Sequence, residues 1–342
     1  MTNSAMLVVG ISLTVFLAWL ATGYVRRHAL RNAMLDIPNT RSSHVTPTPR
    51  GGGLAIVGVF TACICLFASR GMLDVNIAIA FVGGGIAVAL IGYLDDRTAV
   101  PAGIRFSVHL AAATLTVFMV GGVTDHSLRV LGLHGAVVGG VVGVLVLSWA
   151  TNLFNFMDGI DGIAASEAIF IAVAGAGLNW LHGGDAALSV SMLALAATTL
   201  GFLIWNWPPA RIFMGDVGSG FLGFSLGSFG LAVSQREVVS IEVWAILAGV
   251  FLVDATLTLA RRLARGERWY EAHRLHAYQR LASRWKAHLP VTVLVILVNI
   301  LWLLPWAYVA AESPAYALWC VAAALIPIGI VVLFLGAGGR DS

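Results

Sequence analysis

Long uncharged runs separated by short polar segments repeat along the whole chain. Eleven runs are long enough to cross about 30 Å of hydrocarbon, which takes roughly 20 helical residues. They cover 5–25, 52–70, 76–94, 105–122, 133–151, 163–181, 186–205, 218–234, 239–260, 289–310 and 314–336. The expected fold is therefore all-α: a polytopic membrane bundle of about eleven helices, one membrane domain over residues 1–342 with a basic loop inserted at 261–288. No heptads, low-complexity tract or internal repeat divides it further.

Composition agrees, and it excludes a soluble domain. Hydrophobic residues make up 59% of the chain and charged residues 11%, more apolar surface than a water-exposed fold could bury. Charge then orients the spans. Seventeen of the twenty Lys and Arg residues fall in alternate gaps between the runs, and only Arg70, Arg129 and Arg236 fall in the others. The first run has no basic residue before it and Arg26, Arg27 and Arg31 after it, the reverse of a cleaved signal peptide. By the positive-inside bias the N-terminus is expected outside and the C-terminus in the cytoplasm. The net charge of +3 reads as this bias rather than as a nucleic-acid surface, so the lipid bilayer is the expected partner and nucleic acid is not. Cys63, Cys65 and Cys320 lie within spans without metal-ligand spacing and are expected to be free thiols.

The gaps on the basic side also hold the clustered polar residues. Ionisable groups near membrane depth need a partner, water or a function. The first loop, LDIPNTRSSHVTPTPRGGG, carries three prolines that forbid a continuous helix, and Gly51 to Gly53 allow close backbone approach. In GYLDDR, Asp95 and Asp96 end the third span. Neighbours on a helix diverge by about 100°, so the two carboxylates are expected to face different partners. In TNLFNFMDGIDGI, the spacing of Asn152, Asn155, Asp158 and Asp161 would scatter them around a continuous helix, whereas Gly159 and Gly162 let it break and present amide and carboxylate oxygens. In RIFMGDVGSGFLG, Asp216 opens the eighth span and suits a hard, oxygen-seeking cation such as Mg²⁺. The basic loop holds His273 and His276, expected on one helix face with Arg274 and Arg280 close by. Its pattern argues against zinc and for neutralising phosphoryl oxygens. Asp254, inside the ninth span, is seven residues from Arg261 and is expected to serve a structural ion pair.

Taken together these motifs resemble the polyprenyl-phosphate N-acetylhexosamine-1-phosphate transferases, over about residues 36 to 281 and in that family's order. The resemblance implies a helical bundle of ten or eleven spans with a cytoplasmic site dependent on Mg²⁺, with Mn²⁺ as a substitute. It implies that Asp95 and Asp96 serve the lipid phosphate and catalysis, and that Asp216 is the metal ligand. It places Asn155, Asp158 and Asp161 in the nucleotide-sugar pocket, Gly159 near the uracil, and Phe213 against the base. His273, Arg274 and His276 would hold diphosphate oxygens. Ala99 stands where many relatives have a third carboxylate, and the loop reads His-Arg-Leu-His instead of three consecutive histidines. The first departure removes any role for that position, and the second points to the branch that uses simple N-acetylhexosamine donors for surface polysaccharides, in particular the O-antigen-initiating type.

The implied reaction moves a sugar 1-phosphate from a UDP-N-acetylhexosamine to undecaprenyl phosphate and releases UMP. Direct attack by the lipid phosphate is expected, with Asp95 or Asp96 orienting it, rather than an aspartyl-phosphate intermediate. A homodimer is compatible with this expectation. Two alternatives compete. A CDP-alcohol phosphotransferase would use Asp158, Asp161 and Gly162, but Ser166, Asn179 and Gly183 replace its remaining motif residues. A secondary transporter would place its polar groups near the midplane, where only Asp254 clearly lies.

Overall fold

The computed structural model describes residues 3–38, 46–124, 127–128, 132–267 and 274–339. Helices dominate it. They are α1 (Asn3–Arg31), α2 (Gly53–Ser69), α3 (Val75–Thr98), α4 (Ala102–Val120), α5 (Ala136–Met157), α6 (Ile163–Leu181), α7 (Ala186–Asn206), α8 (Asp216–Ser234), α9 (Ile241–Leu247), α10 (Gly249–Ala264), α11 (Ala277–Trp285), α12 (Leu289–Glu312) and α13 (Ala317–Phe334). Among the described residues nine helices are long and apolar enough to cross a membrane, and the α9–α10 pair makes a tenth candidate. The shorter α2 occupies the second expected position, so the helices follow the predicted order from the first run to the last.

One expected span differs. The ninth run, 239–260, is broken into α9 and α10, which meet at 82°. The break falls at Ala248, beside Gly249, where a Cβ would lie 2.6 Å from Leu325 Cδ2 and 3.0 Å from Leu303 Cδ2. Leu303 of α12 and Leu325 of α13 pack closely on Gly249, and α10 leaves at a steep angle carrying Asp254.

The bundle is built around α8. Its apolar window is 94% buried, against 11% for α1 and 22% for α4. Small residues explain its place: in DVGSGFLGFSLGSFGLAVS, Gly and Ser recur often enough for neighbouring backbones to approach closely. A Cβ on Gly218 would lie 2.6 Å from Gly53 Cα, and one on Gly223 would lie 2.3 Å from the Ala150 carbonyl oxygen. The first contact seats the N-terminus of α2 on α8, and the second seats α5. Phe60, Phe81, Phe221 and Phe229 fill the space between α2, α3 and α8 with edge-on and tilted ring contacts. Aromatic pairs in these orientations add to simple area burial.

The Pro-rich first loop folds back as a two-residue ladder, β1 (Leu35–Asp36) against β2 (Thr48–Pro49), with Leu35 opposite Pro49. Backbone bonds tie its far side to the entry of α8: Phe213 N donates to Pro49 O at 2.8 Å, Gly52 N to Phe213 O at 2.9 Å and Gly53 N to Met214 O at 2.9 Å. These bonds hold Arg50 over the start of α8.

Candidate active site

The C-terminal end of α3, the N-terminal end of α4 and the N-terminal end of α8 meet in an ion cluster. Asp96 is buried and accepts from the backbone N–H groups of Asp216, at 2.9 Å, and Val217, at 3.3 Å. A helix N-terminus favours an anion through its unpaired N–H groups and dipole, and here that anion is the protein's own Asp96. Gly215 makes the contact sterically feasible. Its φ of +77° suits glycine, and a Cβ there would lie 2.4 Å from Asp96 Oδ2.

Asp95 turns the other way, as expected of its helical neighbour. It accepts from Arg105 at 2.5 Å and from Val100 N at 2.7 Å, where Ala99 closes α3 in the left-handed conformation. Two guanidinium groups then join the carboxylates. Arg50 Nη2 lies 2.8 Å from Asp96 Oδ1 and 2.8 Å from Asp216 Oδ1, and Arg105 Nη1 lies 3.5 Å from Asp216 Oδ2. Burial works against the Arg50 charge, but Asp96 and Asp216 outweigh it and hold its pKa above the ordinary value.

The break between α5 and α6 supplies the next wall. Met157 ends α5, Gly162 takes a left-handed φ of +75°, and Ile163 starts α6. Asn155 donates to Ser219 Oγ of α8 at 3.3 Å, while Asn152 bonds back to the Ser148 carbonyl of its own helix. The Asp158 carboxyl is pushed up to about 7, first by burial and then by the negative charge of Asp216. Gly159 is pressed against the insertion: a Cβ there would meet Tyr278 Oη at 2.2 Å, and that hydroxyl donates to the Phe156 carbonyl at 3.1 Å. Burial, reinforced by Asp254 and Asp158, lifts the Tyr278 phenol well above its ordinary pKa.

Asp161 has other partners. One carboxylate oxygen accepts from Ala210 N at 3.0 Å, the other lies 3.2 Å from His288 Nδ1, and its carbonyl accepts from Thr292 Oγ1 at 2.9 Å. Asn206 completes this seam by accepting from Gly162 N and donating to the Ile212 carbonyl, each at 3.0 Å. Asp161 therefore joins the broken helix end to α12 and the segment before Phe213. Phe213, half-buried, borders the same entry to α8.

The basic insertion follows its expected position but not its expected geometry. His276 stands in extended conformation as the N-cap of α11 instead of inside a helix. Its ring is buried with Nδ1 3.3 Å from Asp254 Oδ1, and Asp254 also accepts from Ala277 N at 3.0 Å and Tyr278 N at 3.1 Å. The expected Asp254–Arg261 pair is thus replaced by a buried cap on α11. Arg261 instead donates to the Ala337 carbonyl at 2.7 Å. The start of a helix offers several donors in fixed directions, which a single half-buried guanidinium seven residues away does not. Arg274 is half-buried beside this cap, and His273 lies outside the described residues.

One cavity adjoins the cluster and a second lies apart from it. A small polar one of about 60 Å³ is bounded by Arg105, His109, Asn152, Asn155 and Asp216. Further along the same helices, α5 and α8 line a cavity of about 360 Å³ closed by Trp149, Leu226, Trp244 and Leu252 and almost wholly apolar. The donor set would suit a divalent cation: among the described residues Asp95, Asp96 and Asp216 pair with Arg50 and Arg105, and Asp158 lies near enough to feel Asp216, Asp96 and Arg50. Among the described residues no three acidic, His or Cys side chains could hold an ion by themselves. Mg²⁺ suits that pattern, since it takes one or two carboxylates and completes its shell with water and phosphate.

Several of these groups carry no motif in the sequence. Arg50 and Arg105 register there only as topological charge, and His109, Asn206, Tyr278 and His288 give no signal of their own. The rival patterns lose support. Asn179 sits eighteen residues along α6 from Asp161, about 27 Å at 1.5 Å per residue, and is bonded to the Asp185 carbonyl and Ser189. The polar groups gather at one end of the bundle rather than at its middle.

Comparison with known proteins places this architecture. The model of glycosyl transferase family 4 matches residues 78–234. The decaprenyl-phosphate N-acetylglucosaminephosphotransferase of Mycolicibacterium smegmatis is 33% identical over 313 residues, covering 82% of this chain and 76% of its own. A probable undecaprenyl-phosphate N-acetylglucosaminyl 1-phosphate transferase of Bacillus subtilis is 30% identical, covering 85% and 81%. A phospho-N-acetylmuramoyl-pentapeptide-transferase of Moorella thermoacetica is 29% identical, covering 70% and 76%. With its many apolar helices and the DD, DGIDG and MGD segments joined at one end of them, the chain is a multi-span membrane transferase that belongs to glycosyl transferase family 4.

Proposed function

We propose that the protein transfers an N-acetylhexosamine 1-phosphate from a UDP-sugar to undecaprenyl phosphate, at the cytoplasmic face of a bacterial inner membrane, and so initiates O-antigen or a related surface polysaccharide. One observation carries this reading: a cluster of carboxylates and guanidinium groups able to handle phosphoryl groups sits at one end of a bundle of long apolar helices, two of which, α5 and α8, also line a dry cavity farther along. Few substrates need both. A polyprenyl phosphate does, because its head is a dianion and its tail is hydrocarbon.

In the balanced reaction a phosphate oxygen of the lipid attacks the sugar-linked phosphorus of the UDP-sugar. The bond from that phosphorus to the bridging oxygen breaks, and UMP leaves with the electron pair. A phosphate monoester has a second pKa near ~6, so the acceptor is largely dianionic at neutral pH and needs little help from a base. Such transfers depend on in-line placement and on neutralising oxygens. Arg105 and Arg50 supply positive charge at the cluster, and Asp95 is placed to orient the acceptor or take a residual proton. Asp96 holds the entry of α8 and thereby Asp216. Asp216, with Asp158 nearby, would hold Mg²⁺, which supplies charge neutralisation of the diphosphate when bound. The nucleotide sugar is assigned to Asn155, Asp158, Gly159, Asp161 and Phe213, and its phosphates to the loop of His273, Arg274 and His276.

The test incubates purified protein with Mg²⁺, undecaprenyl phosphate and a panel of UDP-N-acetylhexosamines, scoring UMP and the lipid product. Asp216→Asn is expected to abolish turnover while leaving the protein folded. Release of UMP without lipid acceptor, or a phosphorylated Asp formed from UDP-sugar alone, would rule out the direct transfer.

A further inference from the structure

Glu167 sits in the second turn of α6, six residues after Asp161, and is fully buried. An acid at this depth is costly unless it is paired or neutral. No charged side chain among the described residues approaches it. Its one partner is Asn299 of α12, also fully buried, whose Nδ2 donates to Glu167 Oε2 at 2.5 Å. The other oxygen of each group, Glu167 Oε1 and Asn299 Oδ1, is buried without any hydrogen-bond donor.

Those two orphaned acceptors belong to planar groups already held against each other. An ionised carboxylate has nothing to donate, so it would leave both unserved. One proton on the carboxyl serves both at once: the Glu167 O–H donates to Asn299 Oδ1 while Asn299 Nδ2 donates back to Oε2. We propose that Glu167 is held as a neutral carboxylic acid in a reciprocal acid–amide pair with Asn299, and that this latch is a positioning device for the DGIDG loop.

The pair lies below the loop on the same two helices. His288 and Thr292, at the start of α12, hold Asp161, and Asn299 follows seven residues after Thr292. Asn299 also opens the π-helical turn Asn299–Leu303, an insertion that rotates the residues after it relative to a regular helix. A buried, fully satisfied polar pair at that point sets the rotation and depth of α12 against α6. Sliding α12 by one turn would take both His288 and Thr292 off Asp161.

Infrared spectroscopy of the full-length protein tests the protonation without reference to the substrate. The wild type minus E167Q difference is expected to show a carbonyl band of a protonated carboxylic acid, unchanged between about pH 5 and about pH 7, where an ordinary glutamate is ionised. The transfer assay tests the positioning role and rests on the function proposed above. E167Q, which keeps an amide able to give and accept one bond, should hold turnover within about threefold, whereas E167L, which strands Asn299, should lose on the order of tenfold. The swapped pair E167Q/N299D restores an acid and an amide in exchanged positions and should match the single E167Q. Absence of the band, or turnover of E167Q and of E167Q/N299D as low as that of E167L, overturns the proposal. A wild type that is inactive with every UDP-sugar would defeat the proposed function, while the band would still decide the protonation of the pair.

Discussion

Replacing Gly215 by alanine strikes the joint between Asp96 and α8, and its cost can be worked from the geometry. Gly215 has φ +77° and ψ 169°, a region in which side chains are strained by about 1–3 kcal/mol. Its new Cβ would also stand 2.4 Å from Asp96 Oδ2. Asp96 cannot yield freely, because it is bonded to Asp216 N, Val217 N and Arg50. It has to move by about 1 Å to reach ordinary contact, which weakens a helix cap worth roughly 0.5–2 kcal/mol. The summed loss, about 2–5 kcal/mol, is a serious fraction of a typical folding free energy but need not unfold the protein. The catalytic consequence is larger, since a displacement of about 1 Å in a positioning group costs on the order of 100-fold in rate. The assay is UMP release under saturating substrates, paired with thermal unfolding in detergent. Gly177→Ala is the control, because Gly177 lies in α6 with nothing within 4 Å of its added Cβ. It should be neutral or slightly stabilising. A Gly215→Ala protein with near wild-type turnover would refute the placement of the Asp96–Asp216 contact at the reacting centre.

Two further outcomes are expected. The Asp158 carboxyl, pushed up to about 7 from an ordinary 3.8 by burial and by Asp216, binds more protons in the folded than in the unfolded chain between those values, so its contribution to stability falls as pH rises through that window. Asp158→Asn cannot ionise and should exceed the wild type in stability near pH 8, by on the order of 1–3 kcal/mol without divalent cations, with the gap closing near pH 4; equal gaps at both pH values in thermal unfolding would contradict the assigned burial. Ala245 lines the apolar cavity, and Ala245→Phe would remove roughly 50 Å² of contact from a bound hydrocarbon, about 1.3 kcal/mol or close to tenfold in the KM for undecaprenyl phosphate, with the KM for the UDP-sugar unchanged. Equal KM values for the lipid in the two proteins would remove that cavity from the acceptor's path.

Much of the bundle is legible in the sequence because a span is a local property. Twenty apolar residues need only their own backbone bonds to become a helix in lipid, so runs such as 163–181 and 186–205 reappear almost unchanged as α6 and α7. The divergence of Asp95 and Asp96 is equally local, since 100° per residue follows from the helix itself. The break after Met157 is announced by Gly159 and Gly162. The 82° bend beside Gly249 is not, and the side chains packed there, Leu303 and Leu325, come from spans that arrive much later in the chain.

Residue order alone sets which segments are helices, which end of each carries the polar residues, and which family those residues match. Tertiary structure alone decided the partners. Arg50 meets Asp216 across 166 positions, His288 hydrogen-bonds with Asp161 across 127 and Asn299 meets Glu167 across 132. Asp254 was drawn from a nearby arginine to the start of a distant helix. Hydropathy reports the free energy of moving one segment from water to lipid, and it is summed residue by residue. A pairing between spans depends on how closely two helices can approach and how they are rotated, which for this chain is governed by glycine contacts around α8 that no single segment contains.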